Sequence, residues 1–255
     1  MQCVITGASS GLGEALARKL ADKYKLLLIG RNEVRLKALA QDLQAETLSL
    51  DLTDKNNRMR LIAWIHKNSP ELVINCAGSG LYGHILEHPT EDQLKQFAIN
   101  SSVPIEISIE AARALYSSQK QGTILNISSI AGYFYFPKLS LYAAAKCALT
   151  SFSQSFDFEM KPHGIRILAS CPGQIDTDFI YRAGGKKDHP RVGAMTREYA
   201  ANRILRQIEK KKPLDIFDFR YRLSLLSLFL PKRLLFKTLS ASIDRRYTAK
   251  QFIGK

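Results

Sequence analysis

The sequence predicts an α/β fold in which a doubly wound parallel sheet carries helices on both faces. Up to about residue 170, short apolar runs alternate with longer stretches in which apolar residues recur at helical spacing. The apolar runs are continuous, which indicates strands that are covered on both sides. The 255 residues and 45% hydrophobic content suffice for one large core, so we expect one domain over residues 1–255.

Six strands and five helices are expected before residue 171. The strand candidates are "QCVIT" (2–6), "KLLLIG" (25–30), "ETLSL" (46–50), "LVIN" (72–75), "GTILNIS" (122–128) and "IRILAS" (165–170). The helix candidates lie near residues 12–23, 33–44, 54–67, 91–118 and 141–160. A sheet of this kind binds ligands beyond the carboxyl ends of its strands, so a functional site is expected there.

A further helix and strand are predicted after this region. Thr196 is a suitable N-cap, Glu198 lies in the first turn, and a lysine run ends at Lys212, directly before Pro213. These signals predict a helix from Thr196 to Lys212. The apolar run "LDIFDF" (214–219) is a candidate seventh strand.

The last quarter of the chain is strongly basic. Residues 1–185 hold 19 Lys and Arg against 17 Asp and Glu, net +2, whereas residues 186–255 hold 18 against 6, net +12. We expect residues 220–255 to form a basic amphipathic extension. Segment 220–246 is leucine-rich and lacks a helix-turn-helix or zinc motif, so an anionic membrane surface is favoured and no nucleic acid is expected. An equally weighted alternative is that the leucines cover the core and the basic residues face water.

No export signal, membrane span or metal site is predicted. The first 25 residues lack a charged start followed by an apolar run and a cleavage site, and no stretch reaches about 18 consecutive apolar residues. The four cysteines form no C-x-x-C pair, and the five histidines show no metal-ligand spacing. A cytoplasmic location fits these observations, with peripheral membrane binding through the extension.

A glycine-rich turn follows the first strand. "TGASSGLG" (6–13) places Gly7, Gly11 and Gly13 directly before a helix. Glycine permits a tight turn and lets the backbone approach a pyrophosphate, which then lies against the positive end of the helix. An ordinary loop is the alternative, but the position after the first strand favours a dinucleotide site.

Arg31 follows the second strand, at the position where dinucleotide folds read the adenosine ribose. An acidic residue there binds the 2′-hydroxyl, whereas an arginine accommodates a 2′-phosphate. No acid occupies the tip itself, although Glu33 is close. We therefore predict a preference for NADP(H), with NAD(H) as the alternative.

"YAAAK" (142–146) places a tyrosine and a lysine on one face of a helix. An isolated pair of this kind is usually a surface helix, but other motifs accompany it. In order and spacing, "TGASSGLG", "NCAG" (75–78), Asn100, "NISS" (126–129), "YAAAK" and "PGQIDT" (172–177) resemble the short-chain dehydrogenase/reductase family over about residues 1–178. Cys76 stands where the family usually has asparagine.

The resemblance implies a single-domain oxidoreductase with a Rossmann fold. It places a catalytic tetrad on Asn100, Ser129, Tyr142 and Lys146, with Ser129 preferred to Ser128 because it lies thirteen residues before the tyrosine. Predicted contacts to the dinucleotide are Thr6, Gly7, Ser9, Ser10, Gly11, Leu12, Gly13, Arg31, Asp51, Leu52, Asn75, Ala77, Gly78, Tyr142, Lys146, Pro172, Gly173, Ile175 and Thr177.

The side chains of the tetrad suit carbonyl reduction. Hydride transfer to a ketone leaves an alkoxide that needs a proton, and a phenol with its ordinary pKa of about 10 gives one up reluctantly. We expect Lys146 to lower the pKa of Tyr142, because a nearby cation favours the phenolate. Ser129 would bind the carbonyl oxygen, and by resemblance Asn100 would support a water that links Lys146 to solvent.

Two segments are expected to shape the substrate pocket. "GYFYFP" (132–137) contributes four aromatic residues, and the glycine-containing segment 179–195 is a candidate lid, followed by the helix that ends before Pro213. Both indicate a hydrophobic ketone or alcohol, such as a lipid, acyl or steroid compound. Packing in the core or between subunits is the alternative for the aromatic residues.

Two other functions are compatible with a dinucleotide fold, and an oligomer is expected. A non-catalytic dinucleotide sensor acting through its basic tail is the alternative to an enzyme, but an intact tetrad disfavours it. An epimerase or dehydratase of the extended relatives is disfavoured by the G-x-x-x-G-x-G spacing. Phe152, Phe156 and Phe158 on the helix near 141–160, together with the resemblance, predict a homodimer or homotetramer.

Overall fold

The computed structural model describes residues 1–184, 193–217 and 223. In this part of the chain, seven parallel strands form one sheet in the order β3-β2-β1-β4-β5-β6-β7. The strands are β1 (Gln2–Thr6), β2 (Lys25–Gly30), β3 (Glu46–Ser49), β4 (Leu72–Asn75), β5 (Gly122–Ile127), β6 (Ile165–Cys171) and β7 (Leu214–Ile216).

Helices connect the strands. They are α1 (Gly11–Leu20), α2 (Glu33–Leu43), α3 (Lys55–Asn68), α4 (Thr90–Asn100), α5 (Ser102–Ser117), α6 (Ser140–Met160), α7 (Phe179–Arg182) and α8 (Arg197–Glu209). The N-cap side chains of Asn32, Asp54 and Thr196 each accept a backbone N–H three residues later, which fixes the starts of α2, α3 and α8.

The sheet is covered on both faces, which confirms the doubly wound prediction. On one face, Cys3 and Ile5 of β1 pack with apolar residues of α1, α2 and α8. On the other face, Val4 packs with α3 and α5. The strand order reverses between β1 and β4, so a crevice opens at the carboxyl ends of these two strands.

The single helix predicted over 91–118 is wrong. The chain forms α4 and α5 with a break at Ser101, whose φ and ψ are −137° and −75°. Pro104 explains the break, because proline cannot donate to the carbonyl of Asn100 four residues earlier and its ring clashes there. The break leaves Asn100 at the end of α4. The seventh strand is confirmed over Leu214–Ile216.

One predicted segment lies almost wholly, and another partly, outside the described residues. The basic extension, 220–255, falls there except for Leu223, and so do residues 185–192 of the candidate lid. None of the described helices is long and apolar enough to cross a bilayer. On α6, Phe152 packs against Phe156 and Phe158 is exposed. The homodimer or homotetramer stays a prediction.

Candidate active site

A cleft of about 1420 Å³ opens at the carboxyl ends of the strands. It is lined by the glycine-rich turn, by the ends of β2, β4, β5 and β6, and by α6 and α7. The structure brings all the predicted site residues to this cleft except Thr6 and Asn75. The cleft therefore joins motifs that are up to about 170 residues apart in sequence.

The glycine-rich turn packs tightly against the end of β4. Gly7 has a φ of +71°, and a Cβ there would lie 2.9 Å from the backbone nitrogen of Ala77. A Cβ on Gly13 would overlap the carbonyl oxygen of Gly7. Ser10 is the N-cap of α1, yet its side chain accepts no hydrogen bond from the helix. The first N–H groups of α1 thus lie beside the cleft without a side-chain cap, as a phosphate site requires.

Thr6 and Asn75 support the cleft from behind and do not line it. The hydroxyl of Thr6 accepts hydrogen bonds of 3.0 Å from the backbone nitrogens of Cys76 and Ala77. The side-chain amide of Asn75 donates to Asn126 over 2.9 Å. Both side chains are buried at strand ends, where Thr6 holds the loop after β4 and Asn75 links β4 to β5; their contacts to a dinucleotide stay a prediction.

Charged side chains of both signs line the end of the cleft that begins after β2. Arg31 lines this end, as do Asp51 and Lys95. Burial alone would raise the pKa of Asp51, but hydrogen bonds from Thr53 and the charges of Arg31 and Lys95 lower it. The nearby Glu33 does not line the cleft and is paired with Lys37 on α2 at 2.7 Å.

The four predicted catalytic residues lie together at the other end of the cleft. The hydroxyl of Ser129 caps a 3-10 turn by accepting a bond of 3.1 Å from Ala131 and also reaches Tyr142. The ammonium of Lys146 donates to the carbonyl of Ile127 over 2.8 Å and lies 5.7 Å from the ring centroid of Tyr142. β5 and α6 thus position these groups from two directions.

Asn100 is fully buried and has one free oxygen. Its side-chain nitrogen donates to the carbonyls of Ser79 and Gln96, each over 2.7 Å. Its Oδ1 has no hydrogen-bond partner among the described residues. A Cβ on Gly78 would lie 2.9 Å from that oxygen and 3.9 Å from the ammonium of Lys146. Glycine at 78 therefore keeps the space between Asn100 and Lys146 open.

The pKa of Tyr142 is shifted in the direction opposite to the prediction. Burial and the neighbouring Tyr82 raise it, and the hydrogen bond with Ser129 only partly offsets them. Burial also lowers the pKa of Lys146 to about 8. Desolvation is the largest cause of both shifts, so in this structure Tyr142 is held as the neutral phenol at neutral pH.

Aromatic side chains form the wall beside Tyr142. Phe179 of α7 lies with its ring centroid 5.8 Å from that of Tyr142, and Phe134 and Phe136 line the same part of the cleft. The other two aromatics of "GYFYFP" do not line the cleft: Tyr133 packs against the core and Tyr135 is 47% exposed. Phe134 and Phe136 thus agree with the pocket interpretation, Tyr133 and Phe134 also pack against the core, and packing between subunits stays a prediction.

The family follows from comparison with known proteins. A model of the short chain dehydrogenase family matches residues 2–187. The chain belongs to this family. An uncharacterized oxidoreductase of Staphylococcus epidermidis is 32% identical over 179 residues, which cover 68% of this chain and 77% of that protein.

Solved structures show the same fold. A short-chain dehydrogenase from Sphingobium yanoikuyae in complex with NADPH superposes with a TM-score of 0.82 at 25% identity, covering 98% of this chain and 99% of that one. A bulky-bulky ketone specific alcohol dehydrogenase from Comamonas testosteroni superposes with a TM-score of 0.78 at 22% identity, and the match covers 99% of this chain and 98% of that one. Membership of the short chain dehydrogenase family makes this chain an NAD(P)-dependent oxidoreductase.

The residues present fit the dinucleotide that the family uses. The close glycine turn lets a pyrophosphate approach the backbone, and the start of α1 leaves its first N–H groups without a side-chain cap. Among the described residues, no group of three His, Cys, Asp or Glu side chains is placed to hold a metal ion.

Sequence reasoning missed several residues of the cleft, four of which carry chemistry or shape the reacting end. Lys95, Tyr82, Phe179 and Arg182 line it but belong to none of the family motifs quoted above. Phe179 and Arg182 fall within the candidate lid, which is predicted as a segment without individual roles. In the sequence, Lys95 is notable only because it follows Glu91 by four residues on a predicted helix. The structure contains this ion pair, with 2.7 Å between the ammonium of Lys95 and the carboxylate of Glu91.

Proposed function

We propose that the protein transfers hydride between NADPH and a hydrophobic ketone, or in reverse from the alcohol. The observation that carries this proposal is the position of Tyr142 in the cleft, with Ser129 and Lys146 on one side and the ring of Phe179 on the other. A proton donor and an apolar wall meet at the same point. A lipid, acyl or steroid ketone is the substrate class that matches a proton donor beside an apolar wall.

Preference for NADPH is supported by charge. Arg31 lines the cleft beyond β2, Glu33 is paired with Lys37 on α2, and the acidic Asp51 at this end lies within reach of the charges of Arg31 and Lys95. A 2′-phosphate would be favoured in this surrounding. The Sphingobium relative, 25% identical, is in complex with NADPH.

The residues would act on the substrate in one sequence of steps. When bound, the dinucleotide supplies the hydride. The Ser129 hydroxyl orients the carbonyl oxygen, and the Tyr142 phenol donates its proton to that oxygen as negative charge develops. The raised pKa of Tyr142 keeps the phenol protonated until this moment.

Lys146 would make the transfer favourable. Its cation stabilises the phenolate that remains on Tyr142 after the proton has left. Its position is fixed by the bond to Ile127, while the hydroxyls of Ser128 and Thr150 both donate to its backbone carbonyl. The buried Asn100, across Gly78 from the ammonium, would complete the path by which the proton is replaced.

Oxidation of NADPH with a panel of ketones of increasing apolar size tests the proposal. We expect turnover that rises with apolar size, and a weaker rise in Phe179→Ala because the wall beside Tyr142 is removed. Phe158→Ala is the matched control, since Phe158 is 83% exposed on α6. Turnover that is absent for all ketones, or equal for small and large ones, would contradict the proposal.

Delivery of the substrate from an anionic membrane by residues 220–255 remains part of the proposal. Their net positive charge and leucine content support it. A chain that ends at residue 219 should lose sedimentation with anionic liposomes while keeping its fold. Loss of the fold would instead support packing of these leucines on the core.

A further inference from the structure

The short helix α7 is seated directly on the cleft. A Cβ on Gly80 would lie 2.9 Å from that of Ala183, so this glycine lets α7 approach the loop after β4. The backbone nitrogen of Tyr82 donates to the carbonyl of Ala183 over 2.9 Å. Phe179 and Arg182, three residues apart and therefore on one side of the turn, both line the cleft.

Arg182 holds its guanidinium against the glycine-rich turn. Its Nη1 and Nη2 each donate to the hydroxyl of Ser10 over 3.3 Å. It forms no ion pair with a carboxylate within the described residues, whereas Arg58, Arg166 and Arg203 each do. A cation held only by long bonds to a neutral hydroxyl keeps most of its capacity for an anion.

Ser10, whose hydroxyl accepts from the guanidinium of Arg182, stands at the start of α1. Ser10 is the N-cap residue of α1 and leaves the N–H groups of the helix without a side-chain cap. The nearest acid of the helix, Glu14, is already paired with Arg18 at 3.3 Å and Arg197 at 3.8 Å. The positive end of the helix and the charge of Arg182 thus act on the same point of the cleft.

We propose that Arg182 is a binding residue for the pyrophosphate of the dinucleotide. The proposal rests on the proposed function, because it takes the cleft to be the NADPH site. The guanidinium exchanges the hydroxyl of Ser10 for phosphate oxygens, which accept shorter, charge-assisted bonds. The pyrophosphate is assigned because Ser10 stands at the N-cap position of α1, beside the uncapped N–H groups, whereas the 2′-phosphate is expected at Arg31, after β2.

Calorimetric titration of NADPH and NADH into Arg182→Gln tests this assignment. We expect both dissociation constants to rise about tenfold, by the same factor, because both dinucleotides carry the pyrophosphate. A tenfold rise in the dissociation constant is the lower end of the effect expected for one charge-assisted hydrogen bond. The lower end applies because Arg182 is exposed, so solvent and salt screen its charge. Arg60→Gln is the control, since Arg60 is exposed on α3 away from the cleft, and it should bind both dinucleotides as wild type does.

Arg182→Lys separates charge from geometry. A lysine keeps the charge but lacks the planar pair of donors, so its affinity for both dinucleotides should fall between those of wild type and Arg182→Gln. This variant also keeps the test meaningful if Arg182→Gln fails to fold.

Three results would overturn the proposal in different ways. A loss confined to NADPH would place Arg182 at the 2′-phosphate. Unchanged affinity for both dinucleotides would leave the arginine without a role in binding. Wild-type protein that binds neither dinucleotide would refute the proposed function itself, and this failure is recognised before any variant is measured.

Discussion

The two ends of the cleft differ in how far their polar and charged side chains are exposed to solvent. At the reacting end, Lys146 and Asn100 are buried, 4% and 0% exposed, and are bonded into β5 and α4. At the opposite end, Arg31 and the Lys95 pair with Glu91 stand in solvent. Burial strengthens each electrostatic interaction, and solvent screens it.

This difference separates two properties of the enzyme. Groups whose charges are desolvated can change the barrier to proton transfer by several kcal/mol. Exposed groups contribute about 1.5 kcal/mol or less each, and salt weakens them. The reacting end should therefore determine the rate, and the exposed end should determine which dinucleotide binds.

Among the changes that compare the two ends of the cleft, replacement of Lys146 by methionine should produce the largest effect. We expect kcat to fall about a thousandfold, because the phenolate of Tyr142 loses its cation. Stability should rise at the same time. Burial holds the pKa of Lys146 near 8, below its ordinary 10.5, so the charged lysine destabilises the fold by up to about 3 kcal/mol at neutral pH.

Thermal unfolding at several pH values checks whether the charge of Lys146 destabilises the fold. The destabilisation is fully present below pH 8 and disappears as the pH rises to 10.5, the ordinary pKa of the lysine. Lys146→Met should thus unfold at a higher temperature than wild type at pH 7, with the difference shrinking at high pH. Lys67→Met, at an exposed position of α3, should change neither property. A less stable Lys146→Met would contradict the account of burial.

Titration of Lys146 should also appear in the pH profile of reduction. Below pH 8 the ammonium is charged and kcat/KM should be flat; above pH 8 it should fall about tenfold per pH unit as the cation is lost. Tyr142 does not limit this range, because its pKa is raised. Initial rates at low ketone concentration measure the profile, and no decline up to about pH 10 would exclude this role for Lys146.

Arg31→Gln tests the exposed end and should have the smallest effect. The dissociation constant of NADPH should rise about tenfold, since one charge-assisted bond is lost, while that of NADH stays unchanged. Salt should reduce the difference, because the Debye length falls from about 10 Å at 0.1 M to about 3 Å at 1 M. Arg35→Gln on α2, which does not line the cleft, is the control. Equal losses for both dinucleotides would assign Arg31 to another part of the ligand.

The sequence predicted what depends on local pattern and missed what depends on contact between distant segments. Continuous apolar runs and the glycine turn indicated the strands and the cleft almost in place. Pro104 indicates a break near Ser101, because proline interrupts a helix, but the regular helical spacing of the surrounding apolar residues favoured one continuous helix. Phe179 and Arg182 acquire their roles only because Gly80 admits α7 to the cleft, and no pattern in their own segment records this.

The direction of the pKa shift on Tyr142 shows the same limit. The i, i+4 spacing correctly brought Tyr142 and Lys146 to one face of α6, and attraction between them was the expected result. Spacing does not report how far β5 and the loop after β4 exclude water from both groups. Desolvation depends on that burial, and it is the largest cause of both pKa shifts.

The rate of hydride transfer from NADPH to a bulky apolar ketone, in Tyr142→Phe beside wild type, tests the central claim most directly. Tyr116→Phe, exposed on α5, is the matched control. We predict that the rate falls by about two to four orders of magnitude, as expected for loss of a general acid, while NADPH binds with a dissociation constant within about twofold of wild type. A Tyr142→Phe enzyme that retains more than about a third of the wild-type rate would show that the proton comes from elsewhere.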